Sequence, residues 1–225
     1  MKNVETIPQD PVERLNEVID LSWKIFKSQF LNKRHEINKE APFQHHFAQI
    51  ISSIGQLFCT KRDEVFFVDL ETKFHVEGLN ANSYIDITCE FGPSGNEKLR
   101  KKAAIELKFK TARQSAQDSG RIDAFKDIQS LEVYCQHGYN FGRFFMITDS
   151  HPYVGKSTIG VGTQFTTYHG AKTVAGAKFN YTCKGKEDIN VHLKNPYEFS
   201  WEKENSDEKN PWYFLDLGVN APENT

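Results

Sequence analysis

Apolar residues recur at helical spacing over the first sixty positions and at strand spacing after that. Val12, Leu15, Val18, Ile19, Ile25 and Phe26 form a broad helical stripe. Asp10-Pro11-Val12-Glu13 opens it. Asp is a good N-cap, Pro fits the first helical position, and Glu suits the positive end of the helix dipole. The polar stretch Asn32–Lys39 ends this helix. A second helix is predicted from near Glu40, with Pro42 in its first turn. Phe43, Phe47, Ile50, Ile51, Ile54 and Phe58 are its expected buried face, and Gly55 weakens it slightly.

Three strand-like segments follow: Val65–Phe74, Tyr84–Phe91 and Lys101–Lys110. Ser119-Gly120-Arg121 opens a third helix, in which Ile122, Phe125, Ile128, Leu131 and Cys135 recur at helical spacing. His137-Gly138 is its expected stop. Arg143–Thr148 is a short apolar strand. The expected order is thus α-α-β-β-β-α-β. Beyond Ser150 the periodicity weakens. Strands are expected near Lys178–Thr182, Ile189–Leu193 and Trp212–Leu217, with an exposed charged loop over Glu198–Asn210 and a frayed tail over Asn220–Thr225. There is no internal repeat. The expectation is a single domain over residues 1–225, with a core at about 40–149. Residues 150–219 would be an elaboration for specificity or dimer contacts.

The second and third strand segments carry the candidate chemistry. Ile85, Ile87, Cys89 and Phe91 share one face, and Tyr84, Asp86, Thr88 and Glu90 the other. In the next segment Ile105, Leu107 and Phe109 oppose Glu106, Lys108 and Lys110. Each strand is expected to have one buried and one polar side. The turn-forming run Gly92-Pro93-Ser94-Gly95-Asn96 lies between them. Placing Asp86 opposite Glu106 centres the turn on Asn96, and a slip of one residue would turn one apolar face outward. Opposed Cβ atoms lie roughly 4.5–5.5 Å apart, so the two carboxylates repel unless a cation lies between them. Mg²⁺ suits one or two carboxylates plus water and phosphate oxygens, and the backbone carbonyl of Leu107 is a further candidate ligand. Lys108 shares the face of Glu106, where it would orient or deprotonate an attacking water and stabilise charge on a phosphate. A surface hairpin with a cross-strand ion pair is the plain alternative. The matching parity and the turn centre favour the metal site, hence a phosphodiester-cleaving enzyme.

Composition narrows this reading only a little. The chain has 225 residues, is 38% hydrophobic with 18 Phe, and has a formal charge of −2. It has enough apolar residues for a real core, and a nucleic-acid enzyme needs only a local basic face. Cys59, Cys89, Cys135 and Cys183 show no Cys-x-x-Cys spacing, so a structural zinc site has little support. Cys89 is expected as a buried thiol. Met1–Pro8 is polar and lacks an apolar signal core, and no stretch approaches ~20 apolar residues. A cytoplasmic protein without membrane contact is expected.

Lys98, Arg100, Lys101, Lys102, Lys108, Lys110, Arg113 and Arg121 surround the motif. They are either a solvated face or a phosphate-tracking edge beside the metal, and the motif favours the edge. Val154-Gly155-Lys156-Ser157-Thr158 is like the end of a P-loop. The earlier glycine would fall at Ser150, and Gly160 and Gly162 disfavour a following helix. Nucleotide hydrolysis is therefore rejected, though contact with a DNA backbone is not. The adjacent His45 and His46 project about 100° apart on a helix and cannot chelate as an i, i+4 pair.

The order of elements, with Ile85-Asp86 and Ile105-Glu106-Leu107-Lys108, resembles the PD-(D/E)XK nuclease superfamily over about residues 40–149. Gly120–Leu131 is similar to the helix that often succeeds the motif there. The resemblance implies a restriction-endonuclease-like α/β fold, a central mixed sheet flanked by helices. It implies that Asp86 and Glu106 bind Mg²⁺, with Mn²⁺ able to substitute, and that Lys108 is the catalytic lysine. Many members place an acidic residue on the preceding helix. Glu40 is the match here, and Gln44 is its stand-in. Ile85 stands where the family often has Pro, and no Gln-x-x-x-Tyr pattern follows Lys108. The expected function is a Mg²⁺-dependent endonuclease acting on DNA, with RNA an open alternative substrate. It would act as a homodimer, in a restriction-modification or phage-defence role. The competing expectation is a non-cleaving nucleic-acid-binding or assembly domain of the same fold.

Overall fold

Helix α1 (Pro11–Leu31) begins where the capping signal places it. The Asp10 carboxylate accepts the backbone N–H groups of Val12 and Glu13, and Pro11 occupies the first turn. The computed structural model describes residues 7–75, 83–114, 117–182, 188–204 and 211–221. Met1–Thr6, Cys183, residues 205–210 of the expected charged loop and the tail 222–225 lie outside the described residues.

The remaining elements are α2 (Glu40–Leu57), β1 (Glu64–Phe74), β2 (Ser83–Pro93), β3 (Lys101–Lys110), α3 (Gln117–Gln136), β4 (Phe141–Thr148) and the short α4 (His151–Val154). The smaller strands β5 (Ala171–Lys172), β6 (Ala177–Tyr181), β7 (Ile189–Leu193), β8 (Glu198–Phe199) and β9 (Trp201–Glu204) follow. The last strand is β10 (Trp212–Val219). The chain is α/β, with a six-stranded mixed sheet in the order β1-β2-β3-β4-β10-β9 and helices flanking it. Two further sheets pair β5 with β8 and β6 with β7. The expected order of elements holds through β4.

The chain forms two compact units. One runs to Ala104 and includes Gly138–Asn140. The other comprises Ile105–His137 and Phe141 onward. In the first unit α1 and α2 pack through aromatic rings. Trp23 stacks on Phe26 at 5.8 Å, and Phe26 meets Phe43 at 4.8 Å and Phe47 at 5.5 Å. The buried face of α2 is Phe43, Phe47, Ala48, Ile51 and Gly55, whereas Ile50 and Ile54 are only half-buried. Gly55 is also a packing requirement, whatever it costs in helix propensity. A Cβ there would collide with the Phe66 ring of β1. In β2 the expected apolar face, Ile85, Ile87, Cys89 and Phe91, is fully buried. Burial pushes the Cys89 thiol far above its ordinary range.

In the second unit β4 is buried along its whole length and pairs antiparallel with β10, Ile147 opposite Phe214. The C-terminal segment therefore supplies a strand of the main sheet. The exposed loop expected over Glu198–Asn210 is overturned over its described residues, 198–204, because β8 and β9 run through them. Phe199 and Trp201 point inward while their charged neighbours face out. This period of two lies inside a charge-rich run, and the charges mask it. A second correction concerns β3. From Ala103 to Leu107 every residue is buried, Glu106 included. An interior strand covered on both faces has no polar side.

Candidate functional site

In the first unit the site begins at a fault in the β1–β2 ladder. The register passes from Leu70↔Ile87 to Thr72↔Ile85 without pairing Glu71 to Asp86. Glu71 adopts a left-handed backbone, φ 49°, which costs a non-glycine residue on the order of 1–3 kcal/mol. At this fault the Asp86 backbone carbonyl takes a side-chain donor. Gln44 of α2 provides it. Its Nε2 donates to the Asp86 backbone carbonyl at 2.7 Å and to Glu71 Oε1 at 2.8 Å. One amide thus ties α2, the strained Glu71 and the Asp86 backbone together. Glu40 lies in the first turn of the same helix, which does extend back past Pro42.

In the second unit, β3 and α3 carry the other candidate residues. Glu106 is 6% exposed. Two residues on, the Lys108 ammonium forms an ion pair with Asp127 of α3, Nζ to Oδ2 2.6 Å, and donates to the Leu107 carbonyl at 3.2 Å. Asp127 lies three residues after Ala124 and four before Leu131, on the stripe that α3 buries. The helix thus turns a carboxylate towards the lysine.

Two of these residues were not anticipated. Asp127 had a legible signal, an acid on an apolar stripe. Glu71 had none, because a left-handed Glu in an edge strand leaves no mark on composition or period. The same stripe logic exposes two more buried polar groups of α3, Arg121 and Glu132. The Glu132 carboxylate accepts the backbone N–H groups of Lys194 and Asn195 and the Tyr197 hydroxyl. These bonds dock the segment after β7 onto the helix.

The expected basic edge is altered. Lys102 is paired with Glu90 at 2.6 Å, and Arg100 lies within reach of Glu90 and Glu97. Arg121 is buried, not on a solvated edge, because it occupies the stripe of α3 that faces the core. Lys101 and Lys110 are half-buried on β3, and Arg113 is exposed in the 3₁₀ turn Ala112–Gln114.

The oxygen donors of Asp86, Glu106 and the Leu107 carbonyl are the chemistry that Mg²⁺ prefers. Among the described residues no group of three or more His, Cys, Asp or Glu side chains is arranged to hold a metal ion. Nor is any helix of the described residues long and apolar enough to cross a membrane. No family model matches the chain, and neither a curated protein nor a solved structure does.

Proposed function

We propose that this chain is a metal-dependent endonuclease that hydrolyses phosphodiester bonds in DNA. The observation that carries the reading is the Lys108–Asp127 ion pair beside the buried Glu106 on one interior strand. Buried ionisable groups set side by side are where reactive sites concentrate. Asp86 joins Glu106 in this reading on the strength of the strand parity in the sequence. Glu40, with Gln44 as its stand-in, is where the superfamily resemblance looks for an acid. When bound, Mg²⁺ or Mn²⁺ would act as a Lewis acid on the phosphoryl group. Asp86, Glu106 and the Leu107 carbonyl would be the oxygen donors for it. Lys108, anchored by Asp127, orients the water and offsets charge on the phosphate. Cutting both strands of a duplex would take two such sites and hence a homodimer. A restriction or phage-defence role is the biological setting this proposal fits by analogy.

The test is incubation of the protein with supercoiled plasmid in Mg²⁺ or Mn²⁺, alongside Asp86→Ala, Glu106→Ala and Lys108→Ala. Nicking or linearisation that all three variants lose supports the proposal. Cleavage that survives in the variants refutes the site. Absence of cleavage on any DNA or RNA, with nucleic-acid binding intact, points to a non-cleaving domain of the same fold.

A further inference from the structure

We infer that a pocket at the start of α3, in the second unit, is a binding subsite for a phosphoryl oxyanion, separate from the proposed cleavage chemistry. The pocket encloses about 530 Å³ between the first turns of α3 and the loop after α4. Arg121 lines it and is 5% exposed. A guanidinium has five N–H donors, and here they are poorly used. Nη2 donates to the Pro152 carbonyl, and Nη1 stands 3.7 Å from Asp118 Oδ1, beyond hydrogen-bond length. Nε is buried with no hydrogen-bond partner. Burial lowers the pKa of this arginine, opposed by the Asp118 charge. Native interiors rarely leave such donors unmet, and a planar guanidinium matches an oxyanion by paired hydrogen bonds.

The surrounding backbone holds Arg121 in place. Gly162 packs so closely that a Cβ would lie 2.6 Å from Arg121 Nη1 and 2.6 Å from Ser157 Cβ. Gly160 is left-handed, φ 61°, and the Ser157 hydroxyl donates to the Ile159 carbonyl at 3.0 Å, closing the loop on itself. Lys156 also lines the pocket, its ammonium 6.0 Å from the Tyr168 ring centre. The first residues of the 20-residue helix α3 add the positive end of its dipole. Against two cations, Arg121 and Lys156, stands one lining carboxylate, Asp118. The balance favours an anion, and Asp118 tempers the affinity. This loop holds the Gly-Lys-Ser-Thr sequence, yet only a 3₁₀ turn, Gly160–Thr163, follows it. A simple oxyanion site fits that geometry, whereas a P-loop does not.

The phosphoryl group has two possible sources, a nucleic-acid strand or a free nucleotide. Isothermal titration of the full chain in EDTA separates them, using inorganic phosphate, AMP, and a tetranucleotide with either a 5′-phosphate or a 5′-hydroxyl. Because no cleavage is measured, failure of the nuclease reading leaves this result intact. Inorganic phosphate is expected to bind and to compete with the phosphorylated ligands. Lys156→Ala should weaken binding about fivefold and Asp118→Asn should tighten it about threefold, as single charge contacts of modest strength do. Arg121→Gln should abolish binding, with its fold checked by circular dichroism. A 5′-phosphorylated tetranucleotide that outcompetes AMP assigns the site to nucleic acid, and parity between them assigns it to free nucleotide. No phosphate binding, or binding indifferent to both Lys156→Ala and Asp118→Asn, overturns the inference.

Discussion

Asp127 on α3 holds the ammonium of Lys108 on β3 at 2.6 Å. The long, flexible lysine is thereby fixed by an element that the sequence motif does not contain. General acid–base and charge-stabilising groups typically contribute about 10²–10⁴-fold to a rate. Lys108→Ala is therefore expected to lower Mg²⁺-dependent plasmid cleavage by about that factor. Asp127→Asn, which keeps shape and removes the charge, should lower it by roughly tenfold through misplacement of the lysine. Cleavage by Asp127→Asn equal to that of the unaltered protein would show that the ion pair is structural only.

Gln44 makes a second prediction. Its amide satisfies the Asp86 carbonyl and the Glu71 carboxylate together. Gln44→Ala removes both bonds and leaves the left-handed Glu71 without that tether. The expected loss of stability is about 0.5–1.5 kcal/mol, the net worth of an intramolecular hydrogen bond, read from urea unfolding. Cleavage should fall as well, because Asp86 loses a contact that ties its backbone to α2. A Gln44→Ala protein with full stability and full activity would remove Gln44 and Glu71 from the site.

Much of this was legible because strand parity and helix capping are local. Asp10 and Pro11 set the start of α1, and alternation put Ile85, Ile87, Cys89 and Phe91 on a buried face. Burial of Glu106 was not legible, since a strand's own period cannot say whether its neighbours cover both faces. Arg121 misled for a related reason. Its charge reads as a surface signal, although it stands four residues before Phe125 and seven before Ile128 on the stripe that α3 buries. Phe199 and Trp201 were hidden among glutamates and lysines. In each case tertiary cover decided the outcome, and the residues alone carry no record of it.

Arg14 and Glu64 give a prediction for stability and pH. Arg14 is 1% exposed and donates to Glu64, to the Phe58 carbonyl and to the Thr60 hydroxyl, with its guanidinium carbon 5.0 Å from the Phe91 ring centre. Burial raises the Glu64 pKa, but the N–H groups of Lys61 and Thr60 and the Arg14 charge outweigh it, so the net shift is downward from 4.5. The folded protein therefore binds this proton less tightly than the unfolded chain. The stabilisation is complete above the unfolded value of 4.5 and is lost as pH falls through the lower folded value. Arg14→Met should cost about 1–3 kcal/mol at neutral pH, since Glu64 loses its guanidinium partner while keeping the N–H groups of Thr60 and Lys61. Glu64→Gln should flatten the fall in stability below the ordinary carboxylate range. An acid limb unchanged in Glu64→Gln would assign that limb to other carboxylates.

Gly55→Ala sets two effects of opposite sign against each other. Alanine in a helix interior gains roughly 1 kcal/mol over glycine. At this position the new methyl runs into the ring of Phe66, which is itself buried and lies 6.2 Å from Phe91. Overpacking of a filled core costs about 1–3 kcal/mol, and the buried ring has little room to retreat. The collision should win, so Gly55→Ala is expected to lower the urea midpoint in spite of its better propensity. The cause can be isolated with Phe66→Leu, which removes ring atoms from the point of contact. In that background Gly55→Ala should be less destabilising, or stabilising, and the coupling in the double-mutant cycle measures the clash. Additivity of the two substitutions would mean that helix backbone, not the Phe66 ring, sets the response at Gly55.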